Sequence, residues 1–316
     1  MRVAVHASDI DGLVSAALIL LKYPNSKIDF LTLRDLQNYD DVEYDLVVDL
    51  PKTSKAKANI DHHISNYEKL LKEGRLTKND VIDPKAPSAA SLLIRYLGLE
   101  NNEKARKLVE MANIADTGGV TKKTYKLDKI IKCYSKDPAT LMKIAWILAE
   151  KGVKFDKDEW IKKEWKRLKP WIEKGLKTVK KLLKKLSKLD SNIIIVDIVS
   201  GFPRVAMNDI PWLFLNKGWE IAVIINRMRE EDPICPSLSS APNNNQARVS
   251  IRVSKHSRFD ARKFAEKFGG GGHLKAAGMR LNLNGYEELL GRMIMELSEY
   301  GSVTYVRLDL SKNLKL

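Results

Sequence analysis

Four short stretches carry the residues most capable of chemistry. HASDIDG supplies His6, Asp9 and Asp11, VVDL supplies Asp49, IDHH supplies Asp61, His62 and His63, and IADTGG supplies Asp116. The chain has only five histidines in 316 residues, and two of them are adjacent, behind an aspartate. Carboxylates with imidazoles and no thiolate suit Mn²⁺ or Mg²⁺ better than a structural zinc site. The set is too large for one ion and fits two. A carboxylate between two cations can bridge them, and two ions about 3.5–4 Å apart can share an attacking hydroxide and stabilise both ends of an in-line displacement at phosphorus. One aspartate at a strand end is more often a helix N-cap than a ligand. Several Asp/His clusters at the ends of expected elements are a different matter, because they can form one site.

The elements that must position these groups are legible. RVAVH reads as a strand and residues 12–22 as a helix; KIDFLTL, YDLVVDL and KANIDHH read as further strands, and 87–97 and 103–115 as helices. Such alternation implies βαβ units and a mainly parallel sheet. Strands buried on both faces read as near-continuous apolar runs, as these do. In an open parallel sheet, functional groups gather beyond the carboxyl ends of the strands, so the clusters can converge on one crevice.

The length suggests two domains. The expected fold class is α/β: an N-terminal domain over 1–150 with a mainly parallel sheet flanked by helices, a basic helical connector over 151–189, and a smaller C-terminal α/β domain over 190–316. The connector has apolar residues at 161, 165, 168, 172, 176, 179, 183 and 186, a helical stripe with a break or kink expected near Pro170. Its Trp160, Trp165 and Trp171 could stack bases, but aromatic residues at helical spacing more often enter a core. Beyond 190, NIIIVDIV, EIAVIIN, ARVSIRV and KAAGMRLNL read as strands, and 209–216, 259–267 and 286–300 as helices. SLSSAPNNNQ (237–246) reads as a hairpin loop.

Charge is lopsided, with 55 Lys+Arg against 40 Asp+Glu, a net +15. Residues 151–190 hold 15 Lys/Arg against 6 Asp/Glu, which is +9 of that surplus. A basic excess favours a polyanionic partner; the competing explanation is a Lys/Glu-rich, thermophile-like surface. Cys133 and Cys235 form no CxxC pair, which argues against a zinc ribbon or a disulfide framework and for a reducing compartment. His6, Asp9 and Asp11 interrupt the first apolar run, so it fails as a signal peptide, and no run reaches transmembrane length. The expected location is cytoplasmic, with no membrane partner.

KFGGGGHLKAAGM (267–279) has four consecutive glycines before His273. Glycine lets backbone N–H groups approach a phosphate closely, although such a run alone often marks only a mobile turn.

Together, HASDIDG, VVDL, IDHH and ADTGG resemble the four motifs of the DHH phosphoesterase superfamily. That superfamily includes RecJ-type exonucleases, oligoribonucleases that also remove the 3′-phosphate of phosphoadenosine phosphate, and family II pyrophosphatases. GGGH resembles the motif of the DHHA1 domain that follows DHH, VSIRVS (249–254) resembles the strand before it, and APSAASLL (86–93) resembles the helix start between the third and fourth motifs. The resemblance implies that His6 and Asp9 hold one ion, that Asp11, His62 and Asp116 hold the other, and that Asp49 bridges them. It implies that His63 faces the substrate phosphate and that Asp61 orients the histidine pair. Arg252 and His273 would bind phosphate, with Gly271, Gly272 and Ser250 beside them. His256 lies outside the motifs and reads as a surface residue. His6 and Asp9 are three residues apart, where many members have two.

The implied activity is that of a hydrolase with two divalent ions, Mn²⁺ preferred and Mg²⁺ as a substitute. The first expectation is a single-stranded DNA or RNA exonuclease releasing mononucleotides, with the 3′→5′ direction favoured and the basic helix tracking the strand. The alternative is a degrader of short oligonucleotides or a phosphoadenosine phosphate 3′-phosphatase. A family II pyrophosphatase lacks the GGGH pattern, and a catalytically dead scaffold would have lost motif aspartates that are all present here. Within the superfamily the chain resembles short archaeal RecJ-like proteins of the Hef-associated nuclease type. That resemblance leaves room for a homo-oligomer and for a DNA-repair or replication protein as partner.

Overall fold

Five short strands form an all-parallel sheet: β1 (Arg2–His6), β2 (Lys27–Leu31), β3 (Leu46–Val48), β4 (Asn59–Asp61) and β5 (Val81–Ile82), in the order β2-β1-β3-β4-β5. They belong to the first of two compact units, Met1–Leu168 and Lys169–Leu316, of a computed structural model that describes residues 1–186, 189–238 and 245–309.

Eight helices begin in the first unit: α1 (Ile10–Lys22), α2 (Leu36–Tyr39), α3 (Ile64–Lys72), α4 (Ala89–Tyr96), α5 (Glu103–Asp116), α6 (Lys122–Cys133), α7 (Pro138–Lys151) and α8 (Glu159–Leu186). Every residue of α1 from Ile10 to Leu20 is buried, because α1 packs against β1, α4, α5 and α7. A helix covered on all sides has no polar face to keep, which explains the run LVSAALILL. Gly12 sits where a Cβ would come within 2.0 Å of the His6 carbonyl oxygen. Only glycine lets the first turn of α1 settle on the end of β1, which carries His6.

α6 and α7 are additional to the helices expected from the sequence. Both have start signals: Thr121 and Thr124 form a capping box, and Asp137 caps α7 with Pro138 in its first turn. The break expected near Pro170 does not occur, since α8 continues through that residue after a 3₁₀ turn at Gly152–Lys157. Trp160 and Trp165 make ring contacts within the first unit, in line with packing at helical spacing. Trp160 lies 5.8 Å from Tyr134 and under the Lys143 ammonium, and Trp165 meets Tyr125 edge-on at 6.0 Å. Trp160 and Trp165 are half-buried, and Trp171 is buried.

The second unit holds a six-stranded sheet, β11-β6-β7-β8-β10-β9. Its elements are β6 (Ile193–Ser200), α9 (Ile210–Leu215), β7 (Ile221–Asn226), β8 (Gln246–Val253), α10 (Ala261–Glu266), β9 (Gly271–His273), β10 (Ala276–Asn282), α11 (Tyr286–Ser298) and β11 (Val303–Asp309). β11, β6 and β7 run parallel, and β8, β10 and β9 continue the sheet antiparallel. The main core lies on one face. Ala247, Val249, Ile251 and Val253 of β8 join Ala277, Met279 and Leu281 of β10 against Phe264 of α10 and Met293 of α11. Strand alternation therefore turns Arg248, Ser250 and Arg252 to the other face. Of the expected hairpin loop at 237–246, residues 239–244 lie outside the described residues.

Candidate metal centre

The strand order reverses at β1, with β2 on one side and β3 on the other, and that reversal opens a crevice beyond their carboxyl ends. His6 is the last residue of β1. Asp49 follows β3 directly, and His62 and His63 follow β4. Asp9 caps α1, accepting a hydrogen bond from the Gly12 N–H on Oδ1 at 3.0 Å. Asp116 ends α5. Asp11 accepts from the N–H groups of Ala89 and Ala90 at 2.7 and 2.9 Å, so the start of α4 anchors it.

The side chains converge as two groups that share Asp49. His6 Nδ1 lies 2.6 Å from Asp9 Oδ2 and 3.4 Å from Asp49 Oδ2. His62 Nε2 lies 3.1 Å from Asp116 Oδ2, 3.8 Å from Asp49 Oδ1 and 3.9 Å from Asp11 Oδ2. One donor atom from each of His6, Asp9 and Asp49 lies within 4.8 Å of the others, and the same holds for Asp11, His62 and Asp116. Asp49 is almost fully buried and has φ +57°. A non-glycine residue in that region carries backbone strain of about 1–3 kcal/mol, a cost often found at functional sites.

The electrostatics are those of carboxylates crowded together in burial. Burial, with Asp9 and Asp116 nearby, pushes the Asp11 carboxyl up to about 8 despite its two backbone hydrogen bonds. Burial and the charges of Asp11 and Asp9 raise Asp49 well above the usual carboxylate range, and burial raises Asp116. Burial works against a charged His6, but the Asp9 and Asp49 carboxylates outweigh it and push the imidazole up to about 11. Asp49 Oδ2 and His62 Nε2 are buried without a partner in hydrogen-bond geometry. Orphaned acceptors among crowded carboxylates, with no sulfur donor, fit hard divalent cations.

Asp61 is fully buried behind this centre. Its Oδ1 accepts from the His62 N–H at 2.7 Å, the His63 N–H at 3.2 Å and His63 Nδ1 at 2.7 Å, while Asn66 donates to Oδ2. With Nδ1–H held by the carboxylate, the His63 ring presents Nε2 outward. Sequence reasoning missed Asn66 and also Ser8, whose Oγ lies 3.1 Å from His6 Nε2. Asn66 is five residues after Asp61 in the first turn of α3, and that spacing is the signal that could have found it.

In the second unit, the expected phosphate-binding residues meet across three strands. Ala276 of β10 pairs with Arg252 on one side and His273 on the other. Gly278 pairs likewise with Ser250 and Gly271. Cross-strand partners share a face, so Arg252, Ser250, His273 and Gly271 border a shallow floor of Ala276 and Gly278 on the side away from the main core. Gly272 has φ +144°, and a Cβ there would come within 2.6 Å of the Ala276 carbonyl oxygen. Arg252 donates to Ser250 Oγ at 3.2 Å and to the Ile251 carbonyl at 2.8 Å. Burial lowers its pKa, and no carboxylate pairs with it among the described residues. His256 is exposed, as expected.

Residues 216–299 match the DHHA1 domain family. No curated protein sequence matches the chain. Among solved structures, the pGpG-specific phosphodiesterase PggH from Vibrio cholerae is similar with a TM-score of 0.67 at 16% identity, over 95% of this chain and 99% of that one. RecJ from Thermus thermophilus, in complex with Mg²⁺, is similar with a TM-score of 0.56 at 16% identity; 97% of this chain is covered but only 51% of that longer protein. An exonuclease RecJ bound to manganese is similar with a TM-score of 0.54 at 15% identity, over 95% of this chain and 90% of that one. These identities speak for a common fold, and the DHHA1 match adds a sequence criterion to it. Residues 216–299 thus carry the sequence features of a DHHA1 domain, and the chain as a whole shares the fold of these phosphodiesterase and RecJ structures.

Proposed function

We propose that the protein is a metal-dependent phosphodiesterase that removes mononucleotides from an end of single-stranded nucleic acid, in the 3′→5′ direction. The observation that carries this reading is Asp49, whose two oxygens face two different histidine–carboxylate groups. His6, Asp9 and Asp49 would hold one divalent ion, and Asp11, His62, Asp116 and Asp49 the other. When bound, two such ions lower the pKa of water and offset charge at the phosphate being attacked. Asp61 holds His63 so that Nε2 can hydrogen-bond a non-bridging oxygen or deliver a proton to the leaving oxygen. The hydrogen bond to Asp61 raises the His63 pKa against the effect of burial, which favours the proton-carrying form. Arg252 offers a planar fork suited to a phosphate, with His273 beside it.

A second reading is supported by the likeness to PggH, whose whole length this chain covers and whose name gives it a dinucleotide substrate. On that reading the substrates are short oligonucleotides or phosphoadenosine phosphate.

Hydrolysis in Mn²⁺ of end-labelled long DNA and RNA strands, a dinucleotide and phosphoadenosine phosphate separates the two. Stepwise shortening of the long strands supports the exonuclease, and the labelled end gives the direction. Turnover of the small substrates alone would replace it with the second reading.

A further inference from the structure

The Lys169–Leu186 part of α8 bears a concentration of charge that the proposed chemistry leaves unused. Between Lys174 and Lys185 the sequence has six lysines and no acid. Helical periodicity puts Lys174, Lys177, Lys180, Lys181, Lys184 and Lys185 on one half of the helix. Trp171, Ile172, Gly175 and Val179 are buried on the other half, where a Cβ at Gly175 would meet Pro203 at 2.6 Å. Lys177, Lys180, Lys181 and Lys185 are exposed, and none has a carboxylate partner among the described residues. A surface tuned for stability alone would interleave glutamates. Here Lys177/Lys181 and Lys181/Lys185 are like-charge pairs at i,i+4 spacing, which destabilise a helix. Elsewhere the chain makes such pairs attractive, as in Lys107–Glu103 at 2.5 Å and Lys132–Asp128 at 2.7 Å.

Resting on the phosphodiesterase reading, we infer that this lysine face binds the backbone of a single-stranded nucleic acid, so that long strands are held more tightly than dinucleotides. The six lysines extend over about 16 Å of helix axis. That matches a few successive phosphates, and a straight row of mobile ammonium groups tracks a backbone without reading bases. On this helix no aromatic platform accompanies the row among the described residues, since Trp171 is buried. Binding should therefore be strongly salt-dependent and indifferent to sequence.

The test uses the full chain with Lys177, Lys180, Lys181 and Lys185 all changed to Gln, which keeps helix propensity. A fluorescent oligothymidylate is titrated in EDTA over a salt series, and dinucleotide hydrolysis is measured in Mn²⁺. The expected result is at least a tenfold loss of long-strand affinity at low salt, with the slope of log affinity against log salt falling by about 3. Dinucleotide turnover and circular dichroism should stay at wild-type levels. Unchanged long-strand affinity and slope would overturn the inference. So would stronger capture of wild type by phosphatidylserine vesicles than by the oligonucleotide. Failure of the phosphodiesterase reading shows separately, as absence of hydrolysis of every substrate while the EDTA binding difference persists.

Discussion

Asp49 Oδ2 lies 3.4 Å from His6 Nδ1, joining the end of β3 to the end of β1 at the point where the strand order reverses. Its Oδ1 faces His62 instead, at 3.8 Å. Burial and repulsion from Asp11 and Asp9 make this carboxylate unfavourable without cations. Asp49→Asn should therefore stabilise the metal-free protein, by about 1–2 kcal/mol in denaturant unfolding. Asn tolerates the left-handed backbone at Asp49, whereas Asp49→Ala adds about 1 kcal/mol of strain. Equal destabilisation by both variants would show that the carboxylate is not strained in the apo state.

Stability of the metal-free protein should fall as pH rises from 5 to 9. Asp11, at about 8 in the fold against 3.8 in the unfolded chain, keeps its proton while the unfolded chain loses it. His6, at about 11 against 6.5, does the same over a higher window. In both windows the native state binds more protons, so the contribution is full below the unfolded pKa and lost as pH rises through the folded one. Melting temperature in EDTA across that range reads this directly. Binding of Mn²⁺ near pH 7 should release protons, seen by calorimetry in buffers of different ionisation enthalpy. Buffer-independent heats together with a flat melting profile would contradict it.

Asn66→Ala removes the donor from Asp61 Oδ2, a buried acceptor. The loss should be about 1–3 kcal/mol of stability. It should also lower kcat more than it changes KM, because His63 is positioned through Asp61. A variant that lost stability with kcat intact would leave Asn66 a purely structural residue.

Arg252→Gln should raise KM about tenfold or more with little change in kcat, by removing a charged contact to phosphate. Gly272→Ala should act the same way from the other side of the floor, by disturbing the β9–β10 pairing. Wild-type kinetics in both variants would exclude this face of the sheet from substrate binding.

β1 and β3 were legible because strands buried on both faces are largely apolar, as in Val3, Ala4 and Val5 and in Leu46, Val47 and Val48. β9 was not, because Gly-Gly-His has almost no side chain to show a period; its pairing with β10 makes it a strand. β11 alternates only weakly, as an edge strand exposed along one side. The Asp and His residues of the metal centre were legible because those types are scarce and clustered. Asn66 and Ser8 were not, since small polar residues are ordinary beside helix starts. Nothing in VVDL announces the positive φ of Asp49, which arises from how β3 leaves the sheet.

The most direct test is the metal content of purified protein, with turnover of the preferred substrate, for wild type and Asp49→Asn. A shared Asp49 predicts two Mn²⁺ per wild-type chain, weakened binding at both positions in the variant, and turnover reduced by about a thousandfold or more, or ~4 kcal/mol. A variant that kept both ions and near-wild-type turnover would contradict the account.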